Sequence, residues 1–348
     1  MSDPLLEVED LKVAFGVRGR QLRAVDGVSY CVRAGQTLAI VGESGSGKTV
    51  SCRAVVGLLP SSAVVTGSAR FQGAQLIGLS DDRMREYRGA DIAMVFQDPA
   101  RSLNPTMRVG SQIAEAVRAH RRVTKPEAHE QVIELLRLVR MPLPERRYFE
   151  YPHQLSGGMR QRVMIAIALA CRPKLLIADE ATTALDVTTQ AQIMELLLDL
   201  QAGLGMALML ISHDLGLAAS YADDVVVMYA GRIVEQAPAA RLFTRVRMPY
   251  TQALFEAIPR LERPAHSPLP VIGGRPPDLA ALPAGCSFAP RCRRAQDDCL
   301  AEAPPLAEHE PGHRWACWHP LGGYGGAGSP PVRGGSRGVA PPDGRGAA

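Results

Sequence analysis

The octapeptide Gly42-Glu-Ser-Gly-Ser-Gly-Lys48-Thr49 constrains this chain more than any other feature. It matches the pattern G-x-x-x-x-G-K-[ST] and lies between an unbroken apolar run, Thr37-Leu-Ala-Ile-Val41, and a stretch of helical periodicity from Val50 to Leu59. Strand, glycine loop, helix is the order in which backbone N–H groups can turn toward phosphate oxygens at a helix N-terminus. Average residue usage produces the pattern by accident in about one per cent of chains this long, before its flanking elements are required. Gly42, Glu43, Ser44, Gly45, Ser46 and Gly47 are therefore expected to wrap phosphate. Lys48 should reach the outer phosphates as a point charge, and the Thr49 hydroxyl should ligate Mg²⁺.

The rest of the chain supplies a matching scaffold. From Leu5 to Gly35 the pattern is of short strands with turn signals, and Pro60-Ser-Ser closes the helix after the loop. Residues 99–171 carry helical patterns, at Gln112 to Arg121, Lys125 to Val139 and Val163 to Cys171, and read as a helical insertion. The runs Leu175 to Ala178, Ala207 to Ile211 and Val225 to Met228 are continuously apolar, as in strands covered by helices on both faces. The fold class is thus α/β, with a doubly wound sheet at its centre. Beyond about Gln236 the composition shifts toward proline and cysteine. From Leu321 it becomes Gly, Pro, Ser and Arg, the signature of a disordered tail.

Two further segments bear on chemistry. Leu175-Leu-Ile-Ala-Asp179-Glu180 is a buried strand ending in two carboxylates, placed at the carboxyl edge of the sheet where ligands bind in open α/β folds. Asp179 suits Mg²⁺ through its water shell, and Glu180 suits polarising the water that attacks a γ-phosphate. In Leu155-Ser-Gly-Gly-Met159, Ser156 is a natural helix N-cap, and Gly157 and Gly158 leave amide N–H groups exposed at the positive end of a dipole. That is a second anion site.

With 348 residues, 46% of them apolar, the chain can bury a large core. A net charge of +4 spread along the sequence gives little support to nucleic-acid binding. No run approaches the roughly 18 to 20 apolar residues that span a bilayer. Met1 to Asp10 is acidic and resembles no secretory signal, so a cytosolic location is expected. Cys31, Cys52 and Cys171 are dispersed, whereas Cys286, Cys292, Cys299 and Cys317 share one short segment, which in a cytosolic protein suggests metal before disulfide.

Taken in order, these motifs resemble those of the ABC ATPases. Leu155-Ser-Gly-Gly-Met159 looks like the family's signature sequence, upstream of the Asp179-Glu180 strand. Phe15 resembles the aromatic that stacks on adenine, Gln97 the Q-loop glutamine, Thr183-Ala-Leu-Asp186 the D-loop, and His213 in Ile211-Ser-His213-Asp214 the switch histidine. The resemblance implies a RecA-like parallel core with an antiparallel β subdomain and a helical insertion. It also implies ATP and Mg²⁺ as ligands, with Gln97 near the metal. Two such subunits pair head to tail, so that Ser156, Gly157 and Gly158 of one would meet the γ-phosphate held by the other, with Asp186 nearby. Gln97 and His213 would complete the site in cis.

The C-terminal stretch Gly285-Cys286-Ser-Phe-Ala-Pro-Arg291-Cys292, Cys299 and Cys317-Trp-His319 resembles the extension of peptide and nickel importer ATPases, as do Met248-Pro-Tyr-Thr251 and Ala257-Ile-Pro259 before it. The organisation expected is a nucleotide-binding unit over 1–235, an extension over 236–320 and a disordered tail over 321–348. The four thiols fit a [4Fe–4S] cluster or tetrahedral Zn²⁺, or simply pack a small subdomain. Two positions depart from the family pattern: Ala181 replaces a common proline, which is expected to loosen the turn, and Met248 replaces a common histidine. Arg160 and Arg162 oppose the dipole of their helix but could favour phosphate. The activity implied is ATP hydrolysis energising import of di- or oligopeptides at the cytoplasmic face of the membrane. The partners implied are two integral-membrane permeases, a second ATPase subunit and, indirectly, a solute-binding protein. Import of nickel or another small solute, or a soluble non-transport ABC ATPase, are the competing readings.

Overall fold

Continuously apolar strands decide where the centre of this molecule lies. The computed structural model describes residues 3–17, 20–183, 185–258 and 272–322. In chain order the strands are β1 (Leu6–Val17), β2 (Arg20–Val32), β3 (Thr37–Val41), β4 (Ala63–Phe71), β5 (Ala74–Gln75), β6 (Ile92–Val95), β7 (Leu175–Asp179), β8 (Ala207–Ser212), β9 (Asp224–Tyr229), β10 (Arg232–Pro238), β11 (Ala307–Glu310) and β12 (His313–Trp315). They form two sheets, ordered β2-β1-β4-β5 and β11-β12-β10-β9-β3-β8-β7-β6.

In the larger sheet β6, β7, β8, β3 and β9 run parallel. Every residue of β3, β7 and β8 is buried, as strands covered on both faces require. The smaller sheet is antiparallel and packs its apolar face, through Leu6, Val8, Val13 and Phe71, against Ile40, Ile177 and Met209 of the larger one. β1 and β2 are 12 and 13 residues long, not the short strands that the alternation suggests. Asp10, at φ 45°, sits where their register shifts between Val8 and Leu11, and such a bulge interrupts the two-residue periodicity without ending the strand.

The helix after the glycine loop spans Lys48–Val55, shorter than its periodicity suggests. Gly57, at φ 62°, closes it, and the Leu58 N–H returns to the Arg53 carbonyl. The insertion between β6 and β7 is helical as expected. Its helices Val109–His120, Lys125–Leu138 and Gly157–Ala168 bury Ile113, Val117, Val132, Leu136 and Val163 against one another. Thr124 and Glu127 begin the second of them with a reciprocal capping box.

The C-terminal strands join the edge of the larger sheet, β12 pairing with β10 and β11 with β12, and the chain crosses residue 235 inside β10. Glu235, fully buried, is why this edge holds: it accepts from His313 Nε2 at 2.8 Å and from the backbone N–H groups of Arg247 and Met248. A buried carboxylate is tolerable only when so satisfied. Among the described residues no helix is long and apolar enough to cross a membrane. Ala184, Pro259 and nearly all of the segment read as a disordered tail lie outside the described residues.

Candidate nucleotide site

The glycine loop is wedged between the two sheets, and two of its glycines are there because nothing larger fits. A Cβ on Gly42 would lie 2.2 Å from the Met228 carbonyl oxygen, and one on Gly47, at φ 99°, would lie 2.5 Å from that of Ala24. The tight turn Ala230-Gly231 between β9 and β10 fixes the loop from outside, its Gly231 N–H donating to the Ser46 carbonyl. Lys48, only 4% exposed, donates from Nζ to the carbonyls of Gly42 at 2.8 Å and Glu43 at 2.9 Å. Burial pushes its ammonium pKa down, while Glu180 and Asp179 push it back up. The Ser46 hydroxyl is buried with no hydrogen-bond partner. A buried cation and an unmet hydroxyl inside a ring of backbone amides are what an anion would satisfy.

Across from the loop, β7 delivers its two carboxylates. Thr49 Oγ1 donates to Asp179 Oδ1 at 2.7 Å, and Arg53, one helical turn further, reaches Asp179 Oδ2 at 3.4 Å. Asp179 is 1% exposed, and that burial raises its pKa despite both partners. Two hard oxygen donors held together, one of them a buried carboxylate, fit Mg²⁺ in chemistry. Glu180 turns away from the strand with φ 49°, a conformation costing on the order of 1–3 kcal/mol for a residue with a Cβ. Its N–H is tied to the Ile211 carbonyl, and the Thr183 N–H closes the turn onto the Glu180 carbonyl, so Ala181 does not leave this turn open. The strained backbone aims the carboxylate at two groups from neighbouring strands. Gln97 Nε2, after β6, donates to Glu180 Oε2 at 2.7 Å, and His213 Nδ1, after β8, stands 3.7 Å from Glu180 Oε1.

Lys48, Thr49, Gln97, Asp179, Glu180 and His213 therefore meet at the carboxyl edge of the parallel strands. The remaining candidates make no hydrogen bond to that cluster. Ser156 caps the helix Gly157–Ala168 by accepting from the Met159 N–H at 3.3 Å, and Gly158 abuts Thr189. Asp186 caps the helix Val187–Leu204, accepting from the Thr189 N–H and hydroxyl. Arg160 and Arg162 do not serve an anion here, because their guanidinium groups donate to the carbonyls of Pro152 and Val139. Phe15 is half-buried on β1, across from Leu22. Leu22 lines, with Glu43, Ser44, Gly45 and Ser46, a cleft of about 290 Å³ beside the loop.

Cys286, Cys292, Cys299 and Cys317 line one small cavity together with Phe288 and His319. Burial raises the thiol pKa of Cys286 and Cys299 and, with the neighbouring thiols, pushes Cys317 up to about 12. Among the described residues the donor group tight enough for a single ion is Asp298, Cys299 and His319, whose donor atoms lie within 4.8 Å of one another, and not the four thiols. Sequence reasoning missed three residues of the nucleotide site. Arg53 has no motif to announce it, and Tyr250 and Arg291 stood in the C-terminal motifs with no role attached. Both of the latter bind Glu43.

Residues 25–183 match the model of the ABC transporter family, and residues 234–299 match that of the oligopeptide/dipeptide transporter C-terminal region. The chain is 52% identical, over 91% of its length and 95% of the relative's, to a probable peptide ABC transporter ATP-binding protein, y4tR, of Sinorhizobium fredii. It is 48% identical to the oligopeptide transport ATP-binding protein OppD of Escherichia coli, over 92% of this chain and 94% of that one. Among solved structures it is similar to the dimeric ATP-binding cassette MJ0796 in a post-hydrolysis state with ADP and Pi. The TM-score is 0.61 at 26% identity, covering 67% of this chain and 98% of that one.

Proposed function

Because this chain belongs to the ABC transporter ATP-binding proteins of the oligopeptide and dipeptide class, we propose that the cluster at its sheet edge is where it hydrolyses the ATP that energises peptide import. One observation carries this reading: Glu180, in a strained backbone, faces both Gln97 and His213 beside the hydrogen-bonded pair Thr49 and Asp179. The relatives reported are peptide transporters, which favours peptide over nickel despite Met248. Met248 is buried, and its N–H is bound to Glu235.

The roles proposed for the residues are these. Backbone amides of Gly42 to Gly47 and the Lys48 ammonium hold the phosphates, and Lys48 exchanges its two carbonyl partners for phosphate oxygens. Thr49 and Asp179 would hold Mg²⁺, Asp179 partly through water, with Gln97 near the same site. When bound, Mg²⁺ would supply charge neutralisation for the phosphates. Glu180 orients and polarises the attacking water, and Gln97 and His213 fix its carboxylate and sense the γ-phosphate. Phe15 takes the adenine. Ser156, Gly157, Gly158 and Asp186 belong to the half-site that a second subunit would need, since they make no hydrogen bond to the Lys48 cluster in one chain. A dimer with itself or a paralogue completes the site, and two permease subunits, fed by a solute-binding protein, receive the motion at the cytoplasmic face of the membrane. The residues after 235 form the extension that distinguishes this class.

For the four cysteines we propose an iron–sulfur cluster in preference to zinc. Tetrahedral Zn²⁺ with Zn–S bonds of about 2.3 Å needs its four sulfurs within about 4 Å of each other, closer than the four thiols stand. A cluster spaces its ligands more widely, and all four thiols face one cavity.

The test of the nucleotide site is Glu180→Gln in the full chain. ATP binding is expected to survive while hydrolysis falls about 10²- to 10⁴-fold, the range for loss of a positioned base. Undiminished hydrolysis would remove Glu180 from the chemistry.

A further inference from the structure

Glu43 is the one carboxylate within the phosphate loop, where a fixed negative charge should repel a polyphosphate. Each of its polar groups has a partner. Its N–H donates to the Tyr250 hydroxyl at 2.8 Å. Its carbonyl accepts from Lys48 Nζ and from the Ser46 N–H. Its carboxylate receives a two-pronged bond from Arg291, Nη1 to Oε2 at 2.7 Å and Nη2 to Oε1 at 2.9 Å. Tyr250 and Arg291 both come from the region after residue 235, some two hundred positions away in sequence, so two long-range contacts converge on one loop residue.

Arg291 is no ordinary surface partner. Its side chain is 4% exposed, against 23% for Glu43, and its guanidinium lies 5.9 Å from the ring centre of Tyr229 and 6.0 Å from that of Phe288. Its Nε donates to the Gly273 carbonyl at 2.8 Å. The segment it holds there continues into Pro276, Pro277, Asp278 and Leu279, which line, together with Leu22, the cleft over Glu43 to Ser46. Arg291 also directly precedes Cys292, so the thiol cavity and the phosphate loop share one short backbone link. A buried, forked ion pair is strong only while both partners are present, and removing one leaves an uncompensated charge.

We propose that Arg291 and Tyr250 are positioning residues of the nucleotide site, holding Glu43 in the geometry that receives the phosphates while Arg291 cancels its charge. This rests on the phosphate loop binding ATP, as proposed above. Neither residue touches the reacting atoms; both act through Glu43.

ATP affinity of the full chain, measured by calorimetric titration alongside thermal unfolding, tests this with Arg291→Met, Glu43→Gln, the double variant and Tyr250→Phe. Arg291→Met is expected to weaken ATP binding about tenfold and to raise KM with kcat within about twofold, as loss of ground-state positioning does. Glu43→Gln removes the charge that Arg291 cancels, so the double variant should return to within about threefold of Glu43→Gln alone. A role confined to packing of the C-terminal region gives no such reversal. Unchanged affinity in Arg291→Met, or a double variant as weak as Arg291→Met, overturns the proposal. Should Arg291→Met fail to fold, Tyr250→Phe decides, since it deletes one hydroxyl: a few-fold loss of affinity supports the proposal and none overturns it. Failure of the wild-type chain to bind ATP would instead strike at the nucleotide-site reading itself.

Discussion

Lys48 and Asp179 are charges held almost out of water, and each was named from the sequence because its motif carries a physical requirement. The loop needs glycines where Met228 and Ala24 crowd it, and the strand needs a carboxylate at its end. Arg53, Tyr250 and Arg291 obey no such local rule. Their roles depend on which distant segment folds over the loop, and a single sequence does not encode that distance. The four cysteines were legible as a group for the opposite reason, since they lie close in the chain, but their spacing did not say which donors come closest. For them the expected outcome is that protein purified without oxygen carries about four iron and four sulfide per chain, lost in Cys292→Ser and Cys317→Ser. Metal analysis finding zinc instead, retained in those variants and lost in Cys299→Ser and His319→Ala, would assign the Asp298, Cys299 and His319 donors.

At the level of elements, the parallel strands declared themselves because burial on both faces writes an unbroken apolar run. The first hairpin did not, because the bulge at Asp10 breaks its alternation into apparent short pieces. The helix Gly157–Ala168 was readable from Ser156 and the glycines that follow, yet the sequence also suggested Arg160 and Arg162 as phosphate partners. Packing of the helical insertion decided otherwise, drawing both to carbonyls. That leaves the helix N-terminus itself as the proposed anion site. Ser156→Ala separates a cap from a phosphate contact. Loss of the cap costs about 1 kcal/mol and lowers the melting temperature by about 2–4 °C. A residue that also meets phosphate should reduce hydrolysis at saturating ATP by about tenfold or more. Turnover within twofold of wild type would make Ser156 a cap only.

Across the whole molecule, the C-terminal region is an added edge of the nucleotide-binding sheet rather than an appendage. β12 pairs with β10, Glu235 gathers His313, Arg247 and Met248, and Arg291 and Tyr250 reach the phosphate loop. Composition announced a change of character after Gln236 but could not show that the strand there continues the sheet. Such an arrangement ties the extension directly to the loop proposed to hold ATP. With only one set of cis residues per chain, and Ser156 making no hydrogen bond to them, work on a partner requires ATP to bind one state of a larger assembly more tightly than another. In the proposed function, hydrolysis at Glu180 drives peptide across a membrane. The most direct measurement is uptake of a labelled peptide into vesicles reconstituted with the complex recovered by tagging this chain, comparing wild type with Glu180→Gln. ATP-dependent uptake by wild type and its loss in the variant is the predicted result. Recovery of the chain with no integral-membrane partner, or uptake that persists in Glu180→Gln, would contradict it.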